Sequence, residues 1–160
     1  MNIFSEYNKL LTDSSFTILS FDKHRPWGGF FVIAEDQAQQ FADTYFDGLD
    51  LSTINKCSIL SPKILIVAPE KRLSWQYHQR RAEIWRVIQG QVGLKRSAND
   101  IEGELELLNV GDTITLQQGE RHRLIGLDDY AVIAEIWQHT DANHPSDEDD
   151  IVRVQDDFGR

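Results

Sequence analysis

The segment Leu73–Gly90 reads Leu-Ser-Trp-Gln-Tyr-His-Gln-Arg-Arg-Ala-Glu-Ile-Trp-Arg-Val-Ile-Gln-Gly. On an extended chain alternate side chains share a face, so Gln76 and His78 point the same way, and Glu83 reaches that face from the next strand after a short turn. Further on, Gly111-Asp-Thr-Ile-Thr-Leu-Gln-Gln-Gly119-Glu-Arg-His122 supplies one more imidazole behind a strand and a glycine turn. Imidazole, carboxylate and amide oxygen together suit one divalent ion, zinc first and Mn, Fe, Co or Ni as alternatives. With no thiolate in the set, a closed structural zinc site is not expected. Taken singly, His78 and His122 have an ordinary reading as hydrogen-bonded histidines; it is their placement in two spaced segments that points to a ligand set. Glu83 lies between Ala82 and Ile84, where a free carboxylate is costly to bury and a cation would offset its charge. Gln76 has a plainer alternative as a hydrogen-bonding wall residue.

Short strands must carry these side chains. From Lys63 onward the chain breaks into seven short apolar or alternating runs: Lys63–Ala68, Leu73–His78, Ile84–Gln89, Val92–Arg96, Glu104–Leu108, Thr113–Leu116 and Tyr130–Gln138. Turn residues separate them at Gly90, Asn99-Asp100, Gly103, Gly111, Gly119 and Gly126. Many short strands with no long helix between them predict an all-β, antiparallel jelly-roll barrel. Ahead of this block, Gly28–Ala34 reads as a strand. Ala38, Phe41, Ala42 and Tyr45, at i, i+3, i+4 and i+7 within Asp36–Phe46, predict a short amphipathic helix ended by Gly48. The whole of 1–160 is expected to form a single domain, with a core at about 63–140, an N-terminal extension over 1–62 and an acidic tail over 141–160.

Composition narrows the function classes. Hydrophobic residues at 41% and aromatics at 10% describe a chain that folds rather than a disordered one. A formal net charge of −10 repels phosphate backbones and anionic lipid surfaces, so neither nucleic acid nor a membrane is an expected partner. Asp147-Glu148-Asp149-Asp150 and Asp156-Asp157 read most simply as a solvated, solubilising surface. The single cysteine, Cys57, permits no internal disulfide and reads as an idle thiol. The N-terminal stretch lacks a basic segment leading into an apolar core, and the longest strongly apolar run, Ile64–Ala68, is far too short to span a bilayer. A cytoplasmic location is the expectation.

The two donor-bearing segments resemble the paired motifs of the cupin superfamily. Six residues separate Glu83 from Gly90, four separate His78 from Glu83, and Gly111, Gly119 and His122 fall in register. The departures are Glu70 for the first glycine, Gln76 for the first histidine, Gln117 for the proline and Gly126 for the final asparagine. A Gln-X-His opening is similar to phosphomannose isomerases, whose metal set implies Gln76, His78, Glu83 and His122 here. Arg25-Pro-Trp-Gly28, the strand Glu135-Ile-Trp-Gln138 and the ending Glu148-Asp-Asp-Ile-Val-Arg153 through Asp156-Asp-Phe-Gly-Arg160 resemble the type II phosphomannose isomerase cupin. The likeness covers about 25–33 and 63–160; Gln79, Arg80 and Ile84 stand where that family commonly shows histidine, and Ala34–Ser61 has no counterpart.

The resemblance implies metal-dependent interconversion of mannose 6-phosphate and fructose 6-phosphate, with a phosphosugar as partner and a homodimer as the expected assembly. Glu135 is the candidate acid/base, although alternation along its apolar strand allows it to face outward as readily as inward. Arg153 is the candidate for charge stabilisation near the sugar oxygens or phosphate, against an ordinary ion pair with Asp149 or Asp150. Arg80, Arg81, Arg86, Arg121 and Arg123 cluster around the two segments, as phosphate-binding forks or as solvated outer-face residues. Trp75, Trp85 and Trp137 read as core before sugar platforms. Larger members of that family carry a sugar-nucleotide transferase domain with a Gly-rich loop; no such loop occurs in these residues, and nucleotidyl transfer is not expected of them. A non-catalytic or regulatory sugar-binding cupin is the alternative, and an iron-dependent oxygenase a third reading.

Overall fold

The computed structural model describes residues 2–47, 49–51, 59–141 and 143–160, so Cys57 and the helix-ending role of Gly48 lie outside the described residues. Helix α1 (Ile3–Asp13) is followed by β1 (Ile18–Arg25) and β2 (Gly28–Ile33). A 3-10 turn at Glu35–Gln37 then leads into α2 (Ala38–Tyr45). The remaining strands are β3 (Lys63–Val67), β4 (Trp75–Tyr77), β5 (Arg81–Gln89), β6 (Val92–Ser97), β7 (Glu106–Leu108), β8 (Thr113–Leu116), β9 (Arg121–Gly126), β10 (Ala131–His139) and β11 (Val152–Gln155). They form two antiparallel sheets, ordered β1-β2-β3-β10-β5-β8 and β11-β4-β9-β6-β7. This is the jelly-roll arrangement that the strand spacing predicts.

Both ends of the chain are built into these sheets. Strands β1 and β2 extend the first sheet beyond β3, and β11 extends the second beyond β4. Asn2 caps α1 by accepting the Ser5 N–H at 2.9 Å, and Tyr7 and Leu11, one turn apart, bury the helix's inner face. The Tyr7 hydroxyl donates to Gln89 Oε1 at 2.7 Å, fastening α1 to β5. On α2, Ala38, Phe41 and Ala42 are buried, as their spacing predicts.

Two apolar clusters result, and β10 belongs to both. Val132, Ala134 and Ile136 pack with α1 and α2 on the outer side of the first sheet. Ala131 and Ile133 pack between the sheets with Leu65, Trp85 and Leu124. A strand buried on both faces carries no polar alternation, so its sequence does not say which side faces the interior. Alternation from Ala131 and Ile133 puts Glu135 on the inter-sheet face, opposite Trp85 of β5 and Lys63 of β3.

The turn from β1 into β2 sets how close β2 comes to β3. Gly28 has φ +142°, and a Cβ there would stand 1.9 Å from the Ile66 carbonyl oxygen. Gly28→Ala therefore adds both backbone strain and a clash with a neighbouring strand. It is expected to destabilise the fold by more than about 2 kcal/mol, read as a lowered denaturant midpoint at unchanged slope.

Candidate metal centre and cavity

Strands β4 and β9 of one sheet and β5 of the other bring three donors together. His78 follows β4 directly, Glu83 lies on β5 opposite Trp137, and His122 on β9 pairs with Gln76 of β4. The Nε2 atoms of His78 and His122 stand 3.1 and 3.3 Å from the same oxygen, Oε1 of Glu83. One ligand atom from each of the three residues lies within 4.8 Å of the others, and all three side chains are buried.

Hydrogen bonding fixes what each ring presents. His78 Nδ1–H donates to the Asp150 carbonyl at 2.7 Å, and His122 Nδ1–H to the Glu120 carbonyl at 2.8 Å. Both Nε2 lone pairs are thereby turned inward, yet neither Nε2 has a hydrogen-bond partner among the described residues despite its closeness to Glu83. Two buried, unpartnered imidazole nitrogens beside a shared carboxylate form an N2O donor set that fits a divalent first-row cation. Three protein donors leave positions for water or substrate, as in catalytic rather than structural sites.

Burial by itself would raise the Glu83 pKa, but the charges of His78 and Arg81 outweigh it and hold the carboxyl well below its usual range. Burial likewise opposes charge on His78, and Glu83 reverses this, leaving the imidazole raised. Arg81 Nε contacts the other Glu83 oxygen at 3.3 Å and stacks over Trp137 at 3.9 Å. Oε1 of Glu83 therefore faces the two imidazoles while Oε2 is held by the guanidinium.

Gln76, Glu135 and Arg153 line the same cavity of about 470 Å³ as the three donors. Gln76 is half-buried, and its Oε1 accepts from Ser74 Oγ at 2.5 Å. Glu135 is 5% exposed; its Oε2 accepts the Trp85 indole N–H at 2.8 Å and its Oε1 that of Trp137 at 3.2 Å. Trp75 is buried as well, donating to the Asp100 carbonyl. Arg153 is exposed on β11 beside Gln76, and no other described residue pairs with its guanidinium, Asp149 and Asp150 included.

Of the five clustered arginines only Arg81 touches the donor cluster. Arg80 pairs with Asp147, Arg86 with Asp47, Arg121 with Asp100 and Arg123 with Glu102. Lys63 is a wall residue that sequence reasoning did not single out. Buried at the start of an otherwise apolar strand, it lies 4.4 Å over the Trp137 ring and pairs with Glu148 at 2.6 Å. A lysine opening Lys-Ile-Leu-Ile-Val was the available signal.

Glu135 is raised to about 7, first by burial and then by Glu83, against the lowering effect of Lys63, Arg81 and the Trp85 N–H. The unfolded carboxyl titrates near 4.5, so the folded state binds the extra proton between these values. In the metal-free protein this contribution is full below about pH 4.5 and is lost as pH rises through about 7. His78, also raised, acts in the same direction above its ordinary value, whereas Asp150 and Asp157, lowered, act only in the acid range. Metal-free protein is therefore expected to lose about 3 kcal/mol between pH 5 and 8 through Glu135, measured by urea midpoints. Glu135→Gln should flatten that part of the profile.

Residues 37–156 match the mannose-6-phosphate isomerase C-terminal family. The chain belongs to it. The matched stretch takes in α2 and the segment leading to β3, which the motif resemblance left without a counterpart. No curated protein matches the chain by sequence. Among solved structures, KdgF from Halomonas sp. superposes with TM-score 0.53 at 15% identity, over 81% of this chain and 89% of that one. The capsular polysaccharide assembling protein CapF from Staphylococcus aureus gives 0.54 at 14% identity over 88% of this chain. At such identities the likeness concerns the fold, which is that of a cupin. The chain spans 34% of the CapF chain and 42% of the DMSP lyase DddQ from Ruegeria pomeroyi. Among the described residues no helix is long and apolar enough to cross a membrane.

Proposed function

We propose that the protein is a metal-dependent aldose–ketose isomerase of a phosphosugar, interconverting mannose 6-phosphate and fructose 6-phosphate. The observation that carries this reading is the pairing, in one cavity, of an N2O cation cluster with a second buried carboxyl, Glu135, held by two indole N–H groups. Membership of the mannose-6-phosphate isomerase C-terminal family supports it.

The reaction moves one proton from C2 of the aldose to C1 of the ketose through a cis-enediol, while a second proton passes between the two oxygens. No oxidant or reductant is consumed. His78, Glu83 and His122 would hold the cation, with Gln76 as a fourth donor, and zinc fits as well as Mn, Fe, Co or Ni. The chemistry a bound divalent ion supplies is polarisation of the sugar oxygens against the developing negative charge. Glu135 carries the carbon-bound proton: its carboxyl lines the same cavity as the three donors, and the two indole N–H groups fix its orientation. Arg153, exposed and without a partner among the described residues, offers its fork to the phosphate or to the enediolate oxygens. A phosphomonoester is charged and does not cross a bilayer unaided, which is consistent with a cytoplasmic enzyme.

The test is a coupled assay on metal-restored protein with mannose 6-phosphate and the other hexose phosphates. Turnover of at least one is expected, and none on any of them would overturn the isomerase reading. One observation favours a second reading, a non-catalytic sugar-binding cupin: each Glu135 oxygen already accepts an indole N–H, as a purely structural carboxyl would. Calorimetric binding of a phosphosugar without turnover would decide for it.

A further inference from the structure

We propose that Asp150 is a positioning residue for His78, through which docking of the C-terminal segment completes the metal centre. The inference rests on the ligand role of His78 and Glu83 and adds a residue from the acidic run, far from either in sequence.

Asp150 closes a ring of contacts around the donor cluster. Its carbonyl oxygen accepts His78 Nδ1–H at 2.7 Å. Its carboxylate accepts the backbone N–H of Gln79 at 2.9 Å on Oδ1, and on Oδ2 that of Arg80 at 3.0 Å and the Ser146 hydroxyl at 2.7 Å. Ser146 Oγ in turn accepts from Arg81 Nη1 at 2.9 Å, and Arg81 reaches Glu83 Oε2. The path runs from His78 through Asp150, Ser146 and Arg81 to Glu83, whose other oxygen faces His78 again.

Each link constrains what the ion would meet. The Asp150 carbonyl selects the Nδ1–H tautomer of His78 and leaves the Nε2 lone pair facing inward. The Asp150 carboxylate pins the two residues after His78, so that the ring cannot swing with its own backbone. At 6% exposure this carboxylate is not solvated surface, and burial is offset by three donors and by the charge of Arg81. Without those acceptors, two part-buried N–H groups would lose their partners and the carbonyl would lose its anchor.

The chain 1–160 is titrated with Zn²⁺ by calorimetry and with Co²⁺ by its visible ligand-field bands, below the unfolding range of every variant. Asp150→Ala is expected to weaken binding about 10- to 100-fold, the cost usual for an outer partner of a ligating histidine, and to alter the Co²⁺ bands. Asp150→Asn, keeping one acceptor oxygen, should fall between. Asp157→Ala is the control: Asp157 ties the same segment to Arg72 at 2.9 Å but has no link to His78, so affinity should stay within about twofold.

Wild-type affinity and unchanged Co²⁺ bands in Asp150→Ala would overturn the positioning role, even if that variant melts earlier. Equal weakening in Asp157→Ala would overturn it too, since any loosening of the segment would then suffice. If the wild-type chain takes up neither ion, the ligand assignment itself fails, and this inference with it. Loss of binding in His78→Ala alone, with Asp150→Ala unaffected, would spare the ligands and refute only the positioning.

Discussion

Replacing His78 or His122 by alanine is expected to abolish stoichiometric metal binding, with affinity reduced by more than about a hundredfold. Loss of an outer partner of a ligating histidine costs roughly 10- to 100-fold, and loss of the ligand itself removes a donor bond as well. Each substitution takes away one of the two buried Nε2 atoms that lack a hydrogen-bond partner, leaving one imidazole and Glu83. The reading is ion content after reconstitution and dialysis, with circular dichroism to show that the sheets persist. Undiminished metal in either variant would refute the assignment. Competition with protons provides an internal check: Glu83 raises the pKa of the His78 imidazole, so metal binding should weaken as pH falls.

Glu135→Gln is expected to lower kcat for the isomerisation by about 10² to 10⁴, the range typical of losing a general acid/base. The amide has nearly the shape of the carboxyl but a single acceptor oxygen, so one of the two indole N–H groups loses its partner at a cost of about 1–3 kcal/mol in stability, while KM should be little changed. Wild-type rate should depend on pH through the Glu135 carboxyl, with that dependence absent in the variant. If kcat survives, Glu135 is a structural acceptor for Trp85 and Trp137 and the proton carrier lies elsewhere in the cavity. The two substitutions separate the claims: the histidine variants test the ion, and the glutamate variant tests the chemistry.

Some of this site follows from local sequence. His78, Glu83 and His122 stand in two segments whose spacing depends only on strand alternation and short turns, and the sheets close as those segments require. Helix α2 follows from its apolar spacing. Strand β11 does not, because Val152–Gln155 is short and largely exposed and gains its place only by pairing with β4. Helix α1 was missed for a related reason: its 11 residues bury only Tyr7 and Leu11, and what stabilises it is the outer face of a sheet whose strands lie far along the chain.

The sequence by itself determined a β-rich jelly-roll fold and a nitrogen and oxygen donor set spread over two spaced segments. Both rest on residue type and local period. Only the tertiary structure decided the direction of Glu135, because β10 is apolar on both faces and helices on one side leave the carboxyl the other. It likewise decided that Arg153 has no partner among the described residues, since Asp150, three residues before it, spends its carboxylate on Gln79, Arg80 and Ser146. The same contact turns part of an acidic run from solvated surface into a support of the His78 side of the candidate metal centre. Charge pattern reports what a segment carries, whereas its partners depend on which distant strands the fold sets beside it.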